Sequence, residues 1–186
     1  MGSLTAGIIA GKKKFIKNIY LQNLGIGRGM KVGKESIYSA IIGVEFWYKR
    51  NLTKELNNQN QILEYWIKFL SKKNYKGISY EIVSDPTGNK INRLRIYVNY
   101  KLSKFTPQSL SYFLEKNNPS IFVRDDLIHH NHFELDTCNL KKNQEKTVMQ
   151  EMNKIINKLI NKKLKTNISQ LEYNSFSKNN WLNWLA

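Results

Sequence analysis

The chain has 186 residues, a length that suits one domain or one domain with a tail. Hydrophobic residues make up 41% of it, enough for a core, and no stretch approaches the ~18 uninterrupted apolar residues of a membrane span. The formal net charge is +16, from 30 basic and 14 acidic residues, which raises nucleic acid or an anionic membrane as a partner.

The distribution of the basic residues argues against a dedicated nucleic-acid surface. They lie along the whole chain among many asparagines, isoleucines and tyrosines, a mixture that AT-rich codons produce. No zinc-finger, RRM or basic-zipper signature accompanies them. We therefore interpret the charge as a general compositional bias, and we expect only non-specific, salt-sensitive attraction to nucleic acid and no membrane partner.

The first part of the chain predicts one strand followed by helices. Thr5–Ala10 is a short apolar run flanked by glycines, which is typical of a buried strand. Lys12–Asn23 has apolar residues at helical spacing, and Lys31–Lys49 carries a broad apolar face. A further helix is predicted at about Thr53–Ser71, with Thr53 as its N-cap.

The pattern then changes to that of a β-hairpin. Gly77–Val83 alternates apolar and polar residues, and Leu94–Val98 does so again. Between them lies Asp85-Pro-Thr-Gly88, in which proline and glycine suit a tight turn.

Helices and two more strands are predicted after the hairpin. Thr106 is expected to cap a helix that stops near Pro119. Ser120–Arg124 and Asn131–Asp136 have the composition of strands, and Lys142–Leu164 is a long amphipathic helix. This order predicts an α+β fold, an antiparallel sheet covered by helices.

Cysteine and histidine offer little chemistry. The single cysteine, Cys138, excludes an internal disulfide, suits a reducing cytoplasm and has no activating arrangement. His129, His130 and His132 lack a fourth ligand at metal-binding spacing, so we predict a solvated turn between strands and no metal. His132 and Glu134 could share one face of a strand.

The segment Gly25–Glu35 is the best candidate for an anion site. It packs four glycines and three cations into eleven residues just before a predicted helix, but it fits neither the P-loop nor the dinucleotide pattern. Backbone N–H groups and the side chains of Arg28, Lys31 and Lys34 could converge on a phosphate or carboxylate. The alternative is a helix-start loop with solvated cations.

Four segments, read together, carry a family resemblance. They are Gly2–Lys12, Gly25–Glu35, Asn118–Asp125 and Phe133–Asp136. In this order, over roughly residues 2–157, they resemble the selenocysteine synthase-like group of pyridoxal-phosphate enzymes, and within it the D-glucosaminate-6-phosphate ammonia-lyases. Thr137 stands where selenocysteine synthase proper usually has arginine, which favours the ammonia-lyase branch.

The resemblance implies where the functional residues lie. It places Arg28, Lys31 and Lys34 near cofactor and substrate. It puts Arg124 at the Arg-Asp position of the family's small-domain strand, where two interpretations stand equally: binding of a carboxylate or phosphate, and a salt bridge to Asp125 or Asp126. The substrate implied is a phosphorylated amino-sugar acid.

The resemblance also implies that part of the enzyme is missing. Family members are about twice as long, and their Schiff-base lysine precedes the first of these segments, so no residue here matches it. The chain is thus expected to be a C-terminal half, from a truncated or split gene, with pyridoxal phosphate in the full-length family and none on this chain alone.

The implied organisation has three parts. Residues 1–50 would be the last strand and helices of a fold-type-I large domain, 51–165 the small α+β domain, and 166–186 a tail that we expect to be a loosely packed end. Such a chain would be inactive alone, with the missing N-terminal half or a second copy (a dimer) as its partner. A polyanion-binding module and a non-functional remnant are the rival interpretations.

Overall fold

The computed structural model describes residues 7–183. Within this range the chain forms two compact units, the first ending at Leu52 and the second beginning at Thr53. None of the helices described is long and apolar enough to cross a membrane.

The first unit is helical and has no core of its own. It contains α1 (Lys13–Leu21), two 3-10 turns (Gln22–Leu24 and Ile26–Met30) and α2 (Lys34–Lys49). No residue between positions 7 and 52 is buried. The helices were correctly predicted from the apolar spacing, but their apolar faces are exposed to solvent.

The strand predicted at Thr5–Ala10 is wrong over the part that the structure describes. Residues 7–10 form no strand and are exposed, while residues 5 and 6 lie outside the described range. A strand requires a neighbouring strand for its backbone hydrogen bonds, and the described part of this unit contains none. The apolar run therefore has nothing to pair with here.

The second unit is an α+β layer. Its elements are α3 (Leu52–Lys73, which starts one residue before the unit), β1 (Ile78–Ser84), β2 (Asn92–Val98), α4 (Tyr100–Ser103), α5 (Pro107–Glu115), β3 (His132–Leu135), α6 (Gln144–Ile160) and α7 (Gln170–Asn183).

The sheet is antiparallel, with strand order β1-β2-β3. Ile96 on the central strand lies opposite Tyr80 on one side and Phe133 on the other. The predicted hairpin is confirmed: the Gly88 N–H donates to the Asp85 carbonyl at 3.2 Å, and Gly88 has a φ of +82°, which only glycine adopts freely.

Helices cover one face of the sheet and form the core with it. Because side chains alternate along a strand, Leu94, Ile96 and Val98 all point to this face. The Trp66 indole N–H donates to the Glu145 carbonyl at 3.0 Å and ties α3 to the start of α6. The core side chains from the helices are Leu63, Trp66, Leu70, Leu110, Leu114, Val148, Met149, Met152, Ile155, Ile156 and Leu159.

One predicted helix cap is confirmed and one is wrong. Thr106 accepts a hydrogen bond from the Ser109 N–H and precedes Pro107 at the first position of α5. Thr53 does not cap α3, because the helix already includes Leu52. An N-cap residue has a non-helical backbone, which a residue inside the first turn does not have.

The predicted strand Ser120–Arg124 is reduced to a single bridge. Arg124 and Glu134 exchange two backbone hydrogen bonds of 2.9 and 2.8 Å, but no further pair forms. The chain turns immediately afterwards, since the Ile128 N–H bonds to the Asp125 carbonyl. The neighbouring strand prediction, Asn131–Asp136, is confirmed as β3.

The prediction of a loosely packed tail is wrong over the part of the tail whose side chains the structure describes. The segment forms α7, and Tyr173 is buried in a second small cluster with Ile128 and Ile168. The Tyr173 hydroxyl is within hydrogen-bond distance of Ser111 Oγ at 2.6 Å, and it donates to Asp125. The tail also packs through Phe176, whose ring centroid lies 4.4 Å from that of Tyr112, and Gln170 accepts a hydrogen bond from Gln108 at 2.8 Å. The Trp181 side chain and residues 184–186 lie outside the part described.

A buried ion-pair cluster joins the hairpin to the last strand. The Arg93 side chain, 8% exposed, contacts Asp85 at 2.9 Å and Asp136 at 2.8 Å. Hydrogen bonds from Thr87, Arg93 and Asn89 hold the pKa of the Asp85 carboxyl well below its usual range. Burial opposes ionisation of Asp136, but hydrogen bonds from the Cys138 N–H and Arg93 outweigh it and lower its pKa.

We expect Arg93→Met to destabilise the fold, because it leaves two carboxylates without their cation. Breaking a buried pair from one side costs enough to lower Tm by on the order of 10 °C. The control Lys49→Met breaks an exposed pair with Glu45 on α2, and its effect on Tm should be small. Thermal unfolding followed by circular dichroism measures both. Equal shifts in the two variants would contradict this prediction.

The pH dependence of stability should carry the signature of Asp85. Its pKa is lower in the folded than in the unfolded chain, so its contribution is present at neutral pH and is lost as pH falls below about 4. The Tm of Asp85→Asn should lie well below that of the wild type at pH 7, and the difference should narrow towards pH 2.5. A Tm difference that stays constant over this range would show that the Asp85 charge is unimportant.

Candidate anion-binding sites

The basic loop, residues 25–35, leads directly into α2. Its first half forms the 3-10 turn Ile26–Met30, and α2 begins at Lys34 with Gly33 in the N-cap position. Gly33 has no side chain to satisfy the N–H groups of the first turn, so these remain available. Lys34 is the first helical residue, where a cation and the positive end of the helix can act on the same anion.

The three predicted cations of the basic loop are exposed. Within the described residues, no side-chain hydrogen bond or ion pair engages Arg28, Lys31 or Lys34. Glu35 lies in the first turn of α2, with its carboxylate beside Gly33, and partly offsets the positive charge. The loop thus offers uncommitted cations, and its anion-binding role stays a prediction.

The loop conformation depends on one of its glycines. A Cβ added to Gly27 would lie 2.9 Å from the backbone oxygen of Gln22, closer than real Cβ contacts allow. A Cβ on Gly29 would meet nothing within 4 Å. The close approach of the two 3-10 turns therefore explains a glycine at position 27 and not at position 29.

A second candidate site lies in the second unit, at the edge of the sheet. It is a pocket of about 120 Å³ that we call the sheet-edge pocket. The backbone bridge to Glu134 fixes Arg124 at its rim. The residues that line it are Ser84, Pro86, Arg95, Arg124, Asp126, Leu127, His132 and Glu134.

Arg124 forms a salt bridge with Asp126, one of the two acidic partners that the sequence analysis considered. Its Nε lies 2.7 Å from Asp126 Oδ2, and both side chains are substantially exposed. Among the described residues, no other side chain engages its guanidinium. The two terminal nitrogens remain available, so the salt bridge does not use up the planar fork that could bind a carboxylate.

Arg95 supplies a second guanidinium. Two of its nitrogens donate to Glu134 Oε1 at 3.1 and 2.8 Å, and a third lies 3.5 Å from Glu81. Hydrogen bonds to the Tyr97 hydroxyl and to Glu134 raise its pKa. Arg95 was missed by sequence reasoning. The signal was available, because Arg93, Arg95 and Tyr97 alternate with the core residues of β2 and must occupy the opposite face.

His132 departs from the prediction of a solvated turn. His129 and His130 are exposed in a 3-10 turn, but His132 lies in β3 and is only 7% exposed. Its ring packs on Tyr97 with centroids 5.2 Å apart, and its Nε2 is buried with no hydrogen-bond partner in the described residues. The strand register confirms that His132 and Glu134 share a face of the sheet. On the neighbouring strand, Tyr97 pairs with His132 and Arg95 pairs with Glu134.

The residues that the structure describes offer no metal-binding cluster beside these sites. Residues 7–183 contain no group of three or more histidines, cysteines or acidic residues able to hold a metal ion. Every lysine whose side chain the structure describes is exposed.

The predicted site residues therefore fall into two groups. Arg28, Lys31 and Lys34 share the basic loop of the first unit. Arg124 belongs to the second unit, where the fold brings it together with Arg95, a partner that the sequence analysis did not name.

The fold places the second unit in the α+β class, with a three-stranded antiparallel sheet. A solved structure with the same fold agrees with this class. No protein-family model matches the chain. It is 26% identical over 132 residues to the D-glucosaminate-6-phosphate ammonia lyase of Salmonella typhimurium (strain 14028s / SGSC 2262), a match that covers 71% of this chain and 34% of that protein.

Two further comparisons extend this result. The chain is 25% identical over 157 residues to a 5'-C-glycyluridine monooxygenase-decarboxylase of a Streptomyces species, covering 84% of this chain and 39% of the relative. A solved structure of D-glucosaminate-6-phosphate ammonia-lyase shares the fold with a TM-score of 0.58 at 23% identity, over 80% of this chain and 38% of the other.

These comparisons confirm the resemblance to part of D-glucosaminate-6-phosphate ammonia-lyase. The chain spans only about a third to two fifths of the length of the proteins that it matches.

Alanine at position 27 should distort the basic loop, whereas alanine at position 29 should not. Gly27→Ala forces the Gln22 carbonyl or the turn itself to move, so amide chemical shifts should change across residues 22–34 in NMR spectra. Gly29→Ala should shift only its immediate neighbours. Similar spectra for the two variants would mean that the contact at Gly27 does not fix the loop.

Proposed function

We propose that this chain is the C-terminal portion of a pyridoxal-phosphate-dependent lyase that acts on an amino-sugar acid phosphate, similar to D-glucosaminate-6-phosphate ammonia-lyase. The observation that carries the proposal is the available guanidinium of Arg124 at the sheet-edge pocket, on a fold shared with that enzyme. In this proposal residues 51–165 are the small domain, 1–50 the end of the large domain and 166–186 a C-terminal addition.

The sheet-edge pocket is proposed to bind the substrate carboxylate. The names of both sequence relatives denote compounds with an amino-acid group, a glucosaminate in one and a glycyl group in the other. The fork of Arg124 matches a carboxylate in geometry and charge. Neighbouring acceptors on Glu134 and Asp126 keep the pocket nearly neutral, which favours a ligand that carries a single anionic group and hydrogen-bond donors.

The basic loop of the first unit is proposed to bind a phosphate group. Arg28, Lys31 and Lys34 have no competing partner in the described residues, and the open first turn of α2 supplies N–H groups. A dianionic phosphate gains more than a carboxylate from several point charges and a helix N-terminus.

The cofactor lysine is proposed to lie on a polypeptide other than the described residues. Pyridoxal phosphate, where bound, supplies the electron sink for such reactions. Every lysine whose side chain the structure describes is exposed, whereas a Schiff-base lysine is usually desolvated or beside another cation. We therefore assign this chain substrate contacts and no chemical step. We expect the chain to be inactive alone, and we propose a cytoplasmic location and a dimeric enzyme.

A second candidate function is a polyanion-binding module, which the net charge of +16 favours. The polyanion-binding module and the lyase portion require different features of the chain. Non-specific binding depends on the number of cations and falls steeply with salt, whereas substrate binding depends on Arg124 and the basic loop. A non-functional remnant would bind neither ligand selectively.

Substrate titration distinguishes these functions. D-Glucosaminate 6-phosphate titrated calorimetrically into the full chain should bind about tenfold more weakly to Arg124→Ala, since a charge-assisted hydrogen bond contributes about 1.5 kcal/mol or more. The control Lys72→Ala removes one exposed positive charge from α3 and should leave binding unchanged.

The polyanion-binding module is tested by measuring the affinity of the same variants for a single-stranded RNA oligonucleotide at several salt concentrations. Tight RNA binding with a steep salt dependence, weakened equally by both substitutions, together with no binding of the sugar acid, would replace the enzyme proposal by the polyanion module.

A further inference from the structure

A pocket in the second unit lies between the turn that follows Arg124 and the C-terminal helix α7. Its volume is about 460 Å³. Ile128 is the single aliphatic side chain among the described residues that line it. An apolar ligand would leave the polar groups of this pocket unpaired, so the pocket suits a ligand that is rich in hydrogen-bonding groups. We call it the tail pocket and define it by six of its lining residues: Asp125, Asp126, Gln170, Tyr173, Asn174 and Ser177.

A chain of three side-chain amides orients Asn174 in this pocket. Gln108, which is only 8% exposed, donates from Nε2 to Gln170 Oε1 at 2.8 Å, and Gln170 donates in turn to Asn174 Oδ1 at 2.8 Å. Because each amide accepts through its oxygen and donates through its nitrogen, the buried end of the chain fixes the direction of the exposed end. Asn174 Nδ2 has no partner in the part of the chain that the structure describes, so it is available to donate to a ligand.

The two aspartates hold acceptors on the other wall of the tail pocket. Asp125 accepts a hydrogen bond from the buried Tyr173 hydroxyl through Oδ2, and Asp126 Oδ2 lies 2.7 Å from Arg124 Nε. In each carboxylate the other oxygen, Oδ1, has no partner among the described residues. Burial and the bond to Asp125 raise the pKa of the Tyr173 hydroxyl, which therefore stays protonated and keeps donating to Asp125.

One donor and two acceptors, each oriented by a second hydrogen bond, match a hydroxylated carbon chain. A hydroxyl group both donates and accepts, so neighbouring hydroxyls can pair with an amide N–H and with carboxylate oxygens at the same time. Charge disfavours a phosphate here. Arg124 offsets Asp126, but within the described residues no ion pair engages Asp125, so the tail pocket carries a net negative charge.

The tail pocket adjoins the sheet-edge pocket. Asp126 lines both pockets and is bound to Arg124, the arginine whose terminal nitrogens remain available. A ligand whose carboxylate is held by Arg124 would therefore extend past Asp126 towards α7. Its carbons beyond the carboxylate would meet Asp125 and Asn174, which favour hydroxyl groups.

We propose that the tail pocket is a binding subsite for the hydroxylated carbon chain of a sugar acid. The inference rests on the proposed function for the carboxylate contact at Arg124. The preference for hydroxyl groups follows from the residues of the tail pocket alone, and it gives α7 a role in ligand recognition.

Three six-carbon acids test this preference by NMR titration of the full chain. D-Gluconate carries a hydroxyl on every carbon except the carboxylate, hexanoate carries none, and 6-aminohexanoate carries a terminal ammonium group. Gluconate should bind about tenfold more tightly than hexanoate, because it forms neutral hydrogen bonds that hexanoate lacks. Gluconate should also bind more tightly than 6-aminohexanoate.

Two substitutions on α7 locate the hydroxyl contact. Asn174→Ala removes the oriented amide and should weaken gluconate binding about fivefold while leaving hexanoate binding unchanged. Asn179→Ala removes the same side chain from the same helix, outside the residues that line the tail pocket, and should leave both affinities unchanged. Both asparagines are exposed, so each variant should keep its fold, which circular dichroism checks.

Three results would overturn the proposal. One is that gluconate and hexanoate bind the wild-type chain equally or not at all. Another is tighter binding of 6-aminohexanoate than of gluconate, which would make the occupant a cation. The third is an equal loss of gluconate affinity in Asn174→Ala and Asn179→Ala.

The variant Arg124→Ala separates this inference from the proposed function. If both acids lose affinity in Arg124→Ala and neither does in Asn174→Ala, the subsite is rejected and the carboxylate site is retained. If gluconate binding depends on Asn174 and not on Arg124, the carboxylate site is rejected and the subsite is retained.

Discussion

Arg93 is held between the buried carboxylate of Asp85 and the partly exposed carboxylate of Asp136, and these two contacts fix the frame on which the second unit is built. Asp85 lies at the hairpin turn and Asp136 follows the last strand, so one side chain joins both ends of the sheet. A slip of one residue in register would move Arg93 to the core face and bury a charge among apolar helices. The cluster therefore favours one register over its neighbours.

That register determines the composition of the polar face. With Leu94, Ile96 and Val98 turned to the helices, Arg95 and Tyr97 must point the other way, where β3 presents Glu134 and His132 in matching positions. The sheet-edge pocket is a consequence of this alternation together with the single bridge at Arg124. A structural ion pair thus positions side chains that do not touch it, because the strands transmit its constraint.

Sequence-based prediction was accurate where the signal involves neighbouring residues and failed where it depends on residues distant in the sequence. The turn at Gly88 and the cap at Thr106 were predictable because turn chemistry and capping involve only neighbouring residues. The strand at Thr5–Ala10 and the loosely packed tail were wrong because both depend on distant partners. The first lacks a neighbouring strand among the described residues, and the tail finds Ser111 and Asp125 through Tyr173.

The same distinction applies to the candidate sites. The basic loop was visible because its glycines and cations are contiguous. Of the two arginines in the sheet-edge pocket, the sequence predicted only one. Arg124 was named through a family resemblance, but its neighbour Arg95 comes from a strand about thirty positions earlier, and only the pairing of β2 with β3 brings the two together.

The two candidate sites lie in separate units and differ in their electrostatics. In the pocket, each arginine already faces a carboxylate, so the field is local and a ligand must match the geometry of the remaining donors. In the basic loop the cations are uncommitted, and the field is broad and sensitive to salt. A loop of this kind attracts anions readily but holds them in many orientations.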